Sequence, residues 1–201
     1  TELPPQTKVL HNLPNPEYGQ FVGREKELAQ LLCVLRPYPH SQHSVVTIDG
    51  IGGIGKSALA LEAAYRFLRN YDQIPLDERF DAVIWVSAKK SSLSIDGVIP
   101  CISPSCTLHD IYRTISVVLD WEAIIRAKPE DQFEVVKNIL TEKRTLLILD
   151  NFETVDDEGV LSFIREIPAP TKIIITTRHR IDVAYAIRLR GMSWEEAVLL
   201  I

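Results

Sequence analysis

The sequence predicts a three-layer α/β fold with a mostly parallel central sheet of about five strands. Two observations carry this. Short, nearly unbroken apolar runs alternate with segments whose apolar residues recur at three- and four-residue intervals, the pattern of strands buried on both faces between covering helices. The polar residues that interrupt the pattern gather just past the ends of those runs, at Asp49–Ser57, Asp150–Glu153 and Thr176–Arg178, where open parallel sheets hold their ligands.

Taken in order, residues 1–20 read as an extended lead-in, because Pro4, Pro5, Pro14 and Pro16 disfavour helix. Leu28, Leu31, Leu32 and Leu35 then mark a first helix, stopped by Pro37 and Pro39. SVVTID, Ser44 to Asp49, is a buried strand ending in a glycine-rich turn. A helix starts near Lys56, with Ala60, Ala63, Ala64, Phe67, Leu68 and Tyr71 along one stripe.

FDAVIWVS, Phe80 to Ser87, is the second strand, and residues 89–106 read as an irregular loop. Thr107 with Asp110 forms a capping box for a helix carrying Ile111, Ile115, Val118 and Leu119. Pro129, Glu130 and Asp131 suit the first turn of another, with Phe133, Val136, Ile139 and Leu140 facing inward. TLLILD, Thr145 to Asp150, is a third strand, followed by a helix over Val155 to Arg165. KIIITT, Lys172 to Thr177, is a fourth strand and Ala186 to Leu189 a fifth. Ser193 with Glu196 opens a last helix, within which the sequence stops, as expected of a piece of a longer protein.

The 201 residues suit one sizeable α/β domain, and 46% hydrophobic with 24% charged residues is ordinary for a globular fold. A net charge of −5 argues against a general nucleic-acid-binding surface. No apolar run approaches the roughly 20 residues of a membrane helix, and the polar, proline-rich start is no signal peptide. Cys33, Cys101 and Cys106 lack metal-knuckle spacing, so reduced thiols in a cytoplasmic protein are expected.

Gly50 to Ser57, GIGGIGKS, matches the Walker A pattern GxxxxGK[ST], after a strand and at the start of a helix as that motif requires. Glycine lets phosphate oxygens approach the backbone, successive amides form an anion nest, and the helix adds its positive end. Gly50, Gly52, Gly53, Ile54, Gly55, Lys56, Ser57 and Ala58 would therefore wrap the phosphates of ATP or ADP. Lys56 would reach the β- and γ-phosphates, and the Ser57 hydroxyl is a hard oxygen ligand for Mg²⁺.

LLILD is a hydrophobic strand ending in an acid, the Walker B pattern. Asp150 would hold Mg²⁺ directly or through water; the plainer alternative is a carboxylate capping the following turn. Asn151 follows where a catalytic acid often stands, and a neutral amide is no general base. Glu153 either takes that role or is a surface acid. At the fourth strand's end Thr176, Thr177 or Arg178 would approach a γ-phosphate. Arg178 offers a bidentate contact, or else pairs with a nearby carboxylate.

With these motifs in hand, the chain resembles the NB-ARC group of STAND-class P-loop NTPases, bacterial type, over about residues 20–201. FVGRE (Phe21 to Glu25), GIGGIGKS, LLILDNFE (Leu146 to Glu153) and IIITTR (Ile173 to Arg178) are similar to four motifs of that family, in the same order. The resemblance implies that Phe21, Val22, Gly23 and Arg24 lie near adenine and ribose, that Arg178 contacts the γ-phosphate, and that residues 21–201 form an NB-ARC nucleotide-binding domain. It also implies a signalling switch, ADP-bound at rest and homo-oligomeric when ATP-bound, with helical and winged-helix domains following.

The expected function is thus an ATP/ADP-binding switch module with slow hydrolysis. A nucleotide-binding assembly platform without turnover and a rapidly cycling AAA-type ATPase are the alternatives. Neither a membrane nor direct nucleic-acid contact is expected of this domain. Trp85 reads as core, Trp121 and Trp194 as packing or interface residues, and no histidine pair suggests catalysis.

Overall fold

The computed structural model describes residues 9–16, 18–88, 91–94, 97–100, 107–152, 158–179, 184–191 and 194. The strands are β1 (Leu10–His11), β2 (Val45–Asp49), β3 (Ala82–Ser87), β4 (Ser91–Ser94), β5 (Gly97–Pro100), β6 (Thr145–Asp150), β7 (Lys172–Thr177) and β8 (Tyr185–Arg188). The α-helices are α1 (Glu25–Val34), α2 (Lys56–Arg69), α3 (Leu108–Leu119), α4 (Ala123–Arg126), α5 (Gln132–Glu142) and α6 (Glu158–Arg165).

Six strands form one sheet in the order β1-β3-β6-β7-β2-β8, and every pairing in it is parallel. Successive residues of a strand point to opposite faces, and the core divides accordingly. Val46, Ile48, Leu146, Ile148 and Ile174 pack with α1 and α2 on one face. Val45, Leu147, Leu149, Ile173 and Ile175 pack with α3, α5 and α6 on the other. Both sides are covered, which is why the strands read as continuous apolar runs rather than as alternating ones. Among the described residues no helix is long and apolar enough to cross a membrane.

The sheet matches the expected mostly parallel one of about five strands, with one strand beyond the five read from the sequence. That strand comes from the lead-in, where β1 pairs Leu10 with Ala82 and His11 with Val83. Beyond it the Asn12 side chain substitutes for backbone pairing. Its Nδ2 donates to the Trp85 carbonyl (2.9 Å) and its Oδ1 accepts from the Trp85 amide (2.7 Å). A two-residue edge strand flanked by prolines leaves no periodicity to read. Trp85, expected in the core, is half-buried on β3 and packs against the core from there.

A second difference lies in 89–106, read as an irregular loop, where β4 and β5 pair as an antiparallel hairpin from Ser91–Pro100 to Ser94–Gly97. Serines at three of its positions hide any apolar alternation. A third concerns α5. Lys128–Asp131 form a turn, with the Asp131 amide donating to the Lys128 carbonyl, and the helix begins only at Gln132. A short α4 precedes it and buries Ile124. The predicted capping box at Thr107 is present, with the Asp110 amide donating to Thr107 Oγ1 and the Asp110 carboxylate accepting from the Thr107 amide.

The register fixes where polar residues meet. Ser87 lies beside Asp150, and Asp49 beside Thr177. Because β7 runs between β6 and β2, the ends of all these strands share one edge with the turn that follows β2.

Candidate functional site

The turn from β2 into α2 is Gly50–Gly55. Gly53 (φ 76°) and Gly55 (φ 96°) adopt the left-handed conformation that a side chain disfavours. Gly52 is required by proximity instead: a Cβ there would lie 3.3 Å from the Arg178 guanidinium, which rests across the loop. Gly55 caps α2 without a side-chain acceptor. The first amides of that helix, with the exposed backbone of Gly52, Gly53 and Gly55, form a positive surface suited to an anion. Ile54 and Ala58 are half-buried around it.

Lys56 is buried, and its ammonium turns back into the loop, donating to the carbonyls of Gly50 (2.9 Å) and Ile51 (3.0 Å). These bonds hold the charge beneath the loop, where phosphates would lie. Ser57, the next residue, points toward β6. Its Oγ donates to Asp150 Oδ1 at 2.5 Å.

Asp150 is 2% exposed. A buried carboxylate needs donors, and besides Ser57 of α2 two strands supply them. Thr176 Oγ1 of β7 donates to Oδ1 at 2.8 Å, and Ser87 Oγ of β3 donates to Oδ2 at 3.4 Å. Thr176 Oγ1 also accepts from the Asn151 amide at 2.8 Å. Asn151 has φ 61°, a conformation asparagine tolerates better than most residues.

The FVGRE segment joins this site from the side. Gly23 (φ 72°) and Arg24 (φ 63°) are both left-handed and lead into α1. The buried Arg24 guanidinium donates to Glu27 Oε1 (3.2 Å), to the Arg190 carbonyl (2.6 Å) and to the Ile54 carbonyl (3.5 Å). It thereby ties the phosphate loop to the chain leaving β8. Val22 is half-buried, and Phe21 packs edge-on against Tyr18 at 5.8 Å. The Tyr18 hydroxyl donates to Glu62 of α2, and burial, then that carboxylate, pushes its pKa up to about 12.

The fold thus gathers Lys56, Ser57, Asp150, Arg178 and Arg24 around one turn. Glu153 and the Ser193–Glu196 capping box lie outside the described residues. Sequence reasoning missed Ser87, which ends β3 beside Asp150 and whose only signal was its place at a strand end. It also missed the role of Thr176 as partner of Asp150. A further omission is Asp49, buried just before the loop, whose Oδ2 accepts from Arg188 Nε at 2.8 Å.

The two hard oxygens of Ser57 and Asp150, from a hydroxyl and a carboxylate, suit Mg²⁺. With the phosphate loop beside them, the residues present fit a magnesium nucleotide.

A model of the AAA ATPase domain family matches residues 20–169 of the chain. The transcription activator GutR of Bacillus subtilis (strain 168) is 29% identical, covering 94% of this chain and 22% of GutR. The probable disease resistance protein RXW24L of Arabidopsis thaliana is 24% identical, covering 86% of this chain and 17% of that protein. The chain therefore spans about a fifth of the length of these curated relatives. A solved structure from Pyrococcus horikoshii, a signal transduction ATPase with numerous domains (STAND) and a tetratricopeptide repeat sensor, shares the fold. Its TM-score is 0.59 at 23% identity, over 92% of this chain and 25% of that one.

Proposed function

This chain belongs to the AAA ATPase domain family, and we propose that it is a P-loop NTPase of the STAND type, the ATP/ADP-binding switch module of a longer signalling protein. The observation that carries this reading is the junction of Ser57 and Asp150 beneath a glycine loop crossed by Arg178. Lys56, the loop amides and the start of α2 bind the polyphosphate. Ser57 and Asp150 hold Mg²⁺, which, when bound, neutralises phosphate charge. Arg178 reads the γ-phosphate, while Phe21, Val22, Gly23 and Arg24 line the nucleoside end.

A switch needs different interaction energy in its two states. Arg178 supplies it: with ATP the guanidinium gains a γ-phosphate partner that ADP lacks. Hydrolysis is slow, because Asn151 stands after Asp150 and its amide takes no proton; Glu153 serves as the base that remains. ATP favours homo-oligomers and hydrolysis resets them. The switch works in the cytoplasm, without a membrane and without direct nucleic-acid contact. Residues 21–201 carry the nucleotide-binding motifs, and the lead-in before them contributes the edge strand β1 to the same sheet.

Two measurements test this. Mass spectrometry of the nucleotide released on denaturation is expected to find ADP. Single-turnover hydrolysis is expected well below the typical enzyme range of about 1–10³ s⁻¹, and a rate within that range removes the slow switch. Asn151 also favours a second reading, an assembly platform with no turnover, which a complete absence of hydrolysis by magnesium-loaded protein would select.

A further inference from the structure

Thr176 is fully buried in β7, the strand between those that carry Asp150 and the phosphate loop. Its hydroxyl has one proton and a lone pair facing a fixed donor. The Asn151 amide, placed by that residue's left-handed backbone, occupies the lone pair at 2.8 Å. The proton is left to point at Asp150 Oδ1, 2.8 Å away. The orientation of the hydroxyl is therefore set by the backbone of the residue after Asp150.

Asp150 has two other hydroxyl neighbours. Ser57 donates at 2.5 Å, but a cation held by both Ser57 and Asp150 takes the place of that direct bond. Ser87 lies at 3.4 Å, beyond the usual length for hydroxyl donors. Thr176 is the donor of good length that need not move when the cation enters. We propose that Thr176 is a positioning residue for the magnesium-binding carboxylate, its hydroxyl keeping Asp150 aimed at Ser57 after Ser57 has let go. A buried carboxylate left without that donor would rotate away from Ser57, and that weakens its hold on the cation. This rests on the nucleotide reading above.

The test is ADP affinity by titration calorimetry, with and without Mg²⁺, for the wild-type chain, Thr176→Val, Thr176→Ser, Ser87→Ala, Asp150→Asn and the Thr176→Val/Asp150→Asn pair. Thr176→Val is expected to lower the magnesium-dependent gain in affinity roughly tenfold, the scale of a hydrogen bond to a charged group, and to leave magnesium-free affinity within about twofold. Thr176→Ser restores the gain, and Ser87→Ala costs less than Thr176→Val. In the Asp150→Asn background, Thr176→Val removes nothing further. Should valine leave the chain unfolded by circular dichroism, Thr176→Cys, a weak donor of similar size, carries the same expectation.

A wild-type gain in Thr176→Val, equal losses with and without Mg²⁺, failure of serine to rescue, or additive losses in the double variant each overturn the positioning role. Failure of the wild type to bind ADP at all overturns the nucleotide reading as well, so the two failures are told apart.

Discussion

The hydroxyl of Ser57 donates to the carboxylate of Asp150 across 2.5 Å, joining the first turn of α2 to the end of a strand 93 residues further along the chain. Two residues recognised separately, one in a glycine motif and one at the end of an apolar run, thus meet at one point. Asp150→Asn keeps the shape and removes the charge. We expect the magnesium-dependent gain in ATP affinity to fall at least tenfold, about 1.4 kcal/mol, with magnesium-free affinity little changed. Calorimetric titrations at fixed nucleotide and varied Mg²⁺ check it, and an intact gain removes Asp150 from the cation site.

Lys56 holds its ammonium against two loop carbonyls. Lys56→Ala removes the ammonium set under the loop, and nucleotide binding should be lost, with ADP affinity weakened a hundredfold or more, about 3 kcal/mol. An unchanged ADP dissociation constant would overturn the site assignment.

Arg178 lies against Gly52, so its guanidinium is already over the loop. In Arg178→Ala the preference for ATP over ADP should disappear while ADP affinity stays close to wild type. Competition between the two nucleotides for a fluorescent analogue measures this directly. Parallel losses for both would mean that Arg178 does not distinguish them.

Thr107 and Asp110 cap α3, and the linkage has a definite sign. Burial raises the Asp110 pKa, but the hydrogen bonds from the Thr107 hydroxyl and amide outweigh it and hold the carboxyl below its ordinary 3.8. The folded-state pKa is therefore the lower one. The stabilisation is complete above the unfolded value and fades as pH falls through the folded one. Thr107→Ala should cost about 1 kcal/mol at pH 7, and the difference from wild type should shrink below about pH 4. Urea midpoints across pH 2–7 (about that span covers the transition) provide the check; a difference that stays constant would exclude the ionised cap.

Much of the architecture was legible because its cause is local. A strand covered on both faces must be apolar throughout, so TLLILD and KIIITT declare themselves, and both occupy the expected residues. The phosphate loop was legible because left-handed backbone and close approach admit few residues besides glycine, and Gly52, Gly53 and Gly55 each meet one of these demands. What escaped was whatever depends on a distant partner. The pairing of Leu10–His11 needs the edge of β3. The hairpin over Ser91–Pro100 carries too many serines to alternate. The late start of α5 follows a turn at Lys128–Asp131 that a proline and two acids disguise as a first helical turn.

By itself the sequence determined which residue types stand at each strand end: a lysine and a serine after one, an aspartate at another, an arginine at a third. Those facts follow from nearest-neighbour chemistry, since glycines, apolar runs and caps act over a few residues. Only the tertiary structure decided that β7 lies between β6 and β2, and with it that Thr176 meets Asp150 and Arg178 crosses Gly52. Strand order is set by how helices pack over both faces of the sheet, a global balance of buried area, and no single segment of the chain carries it.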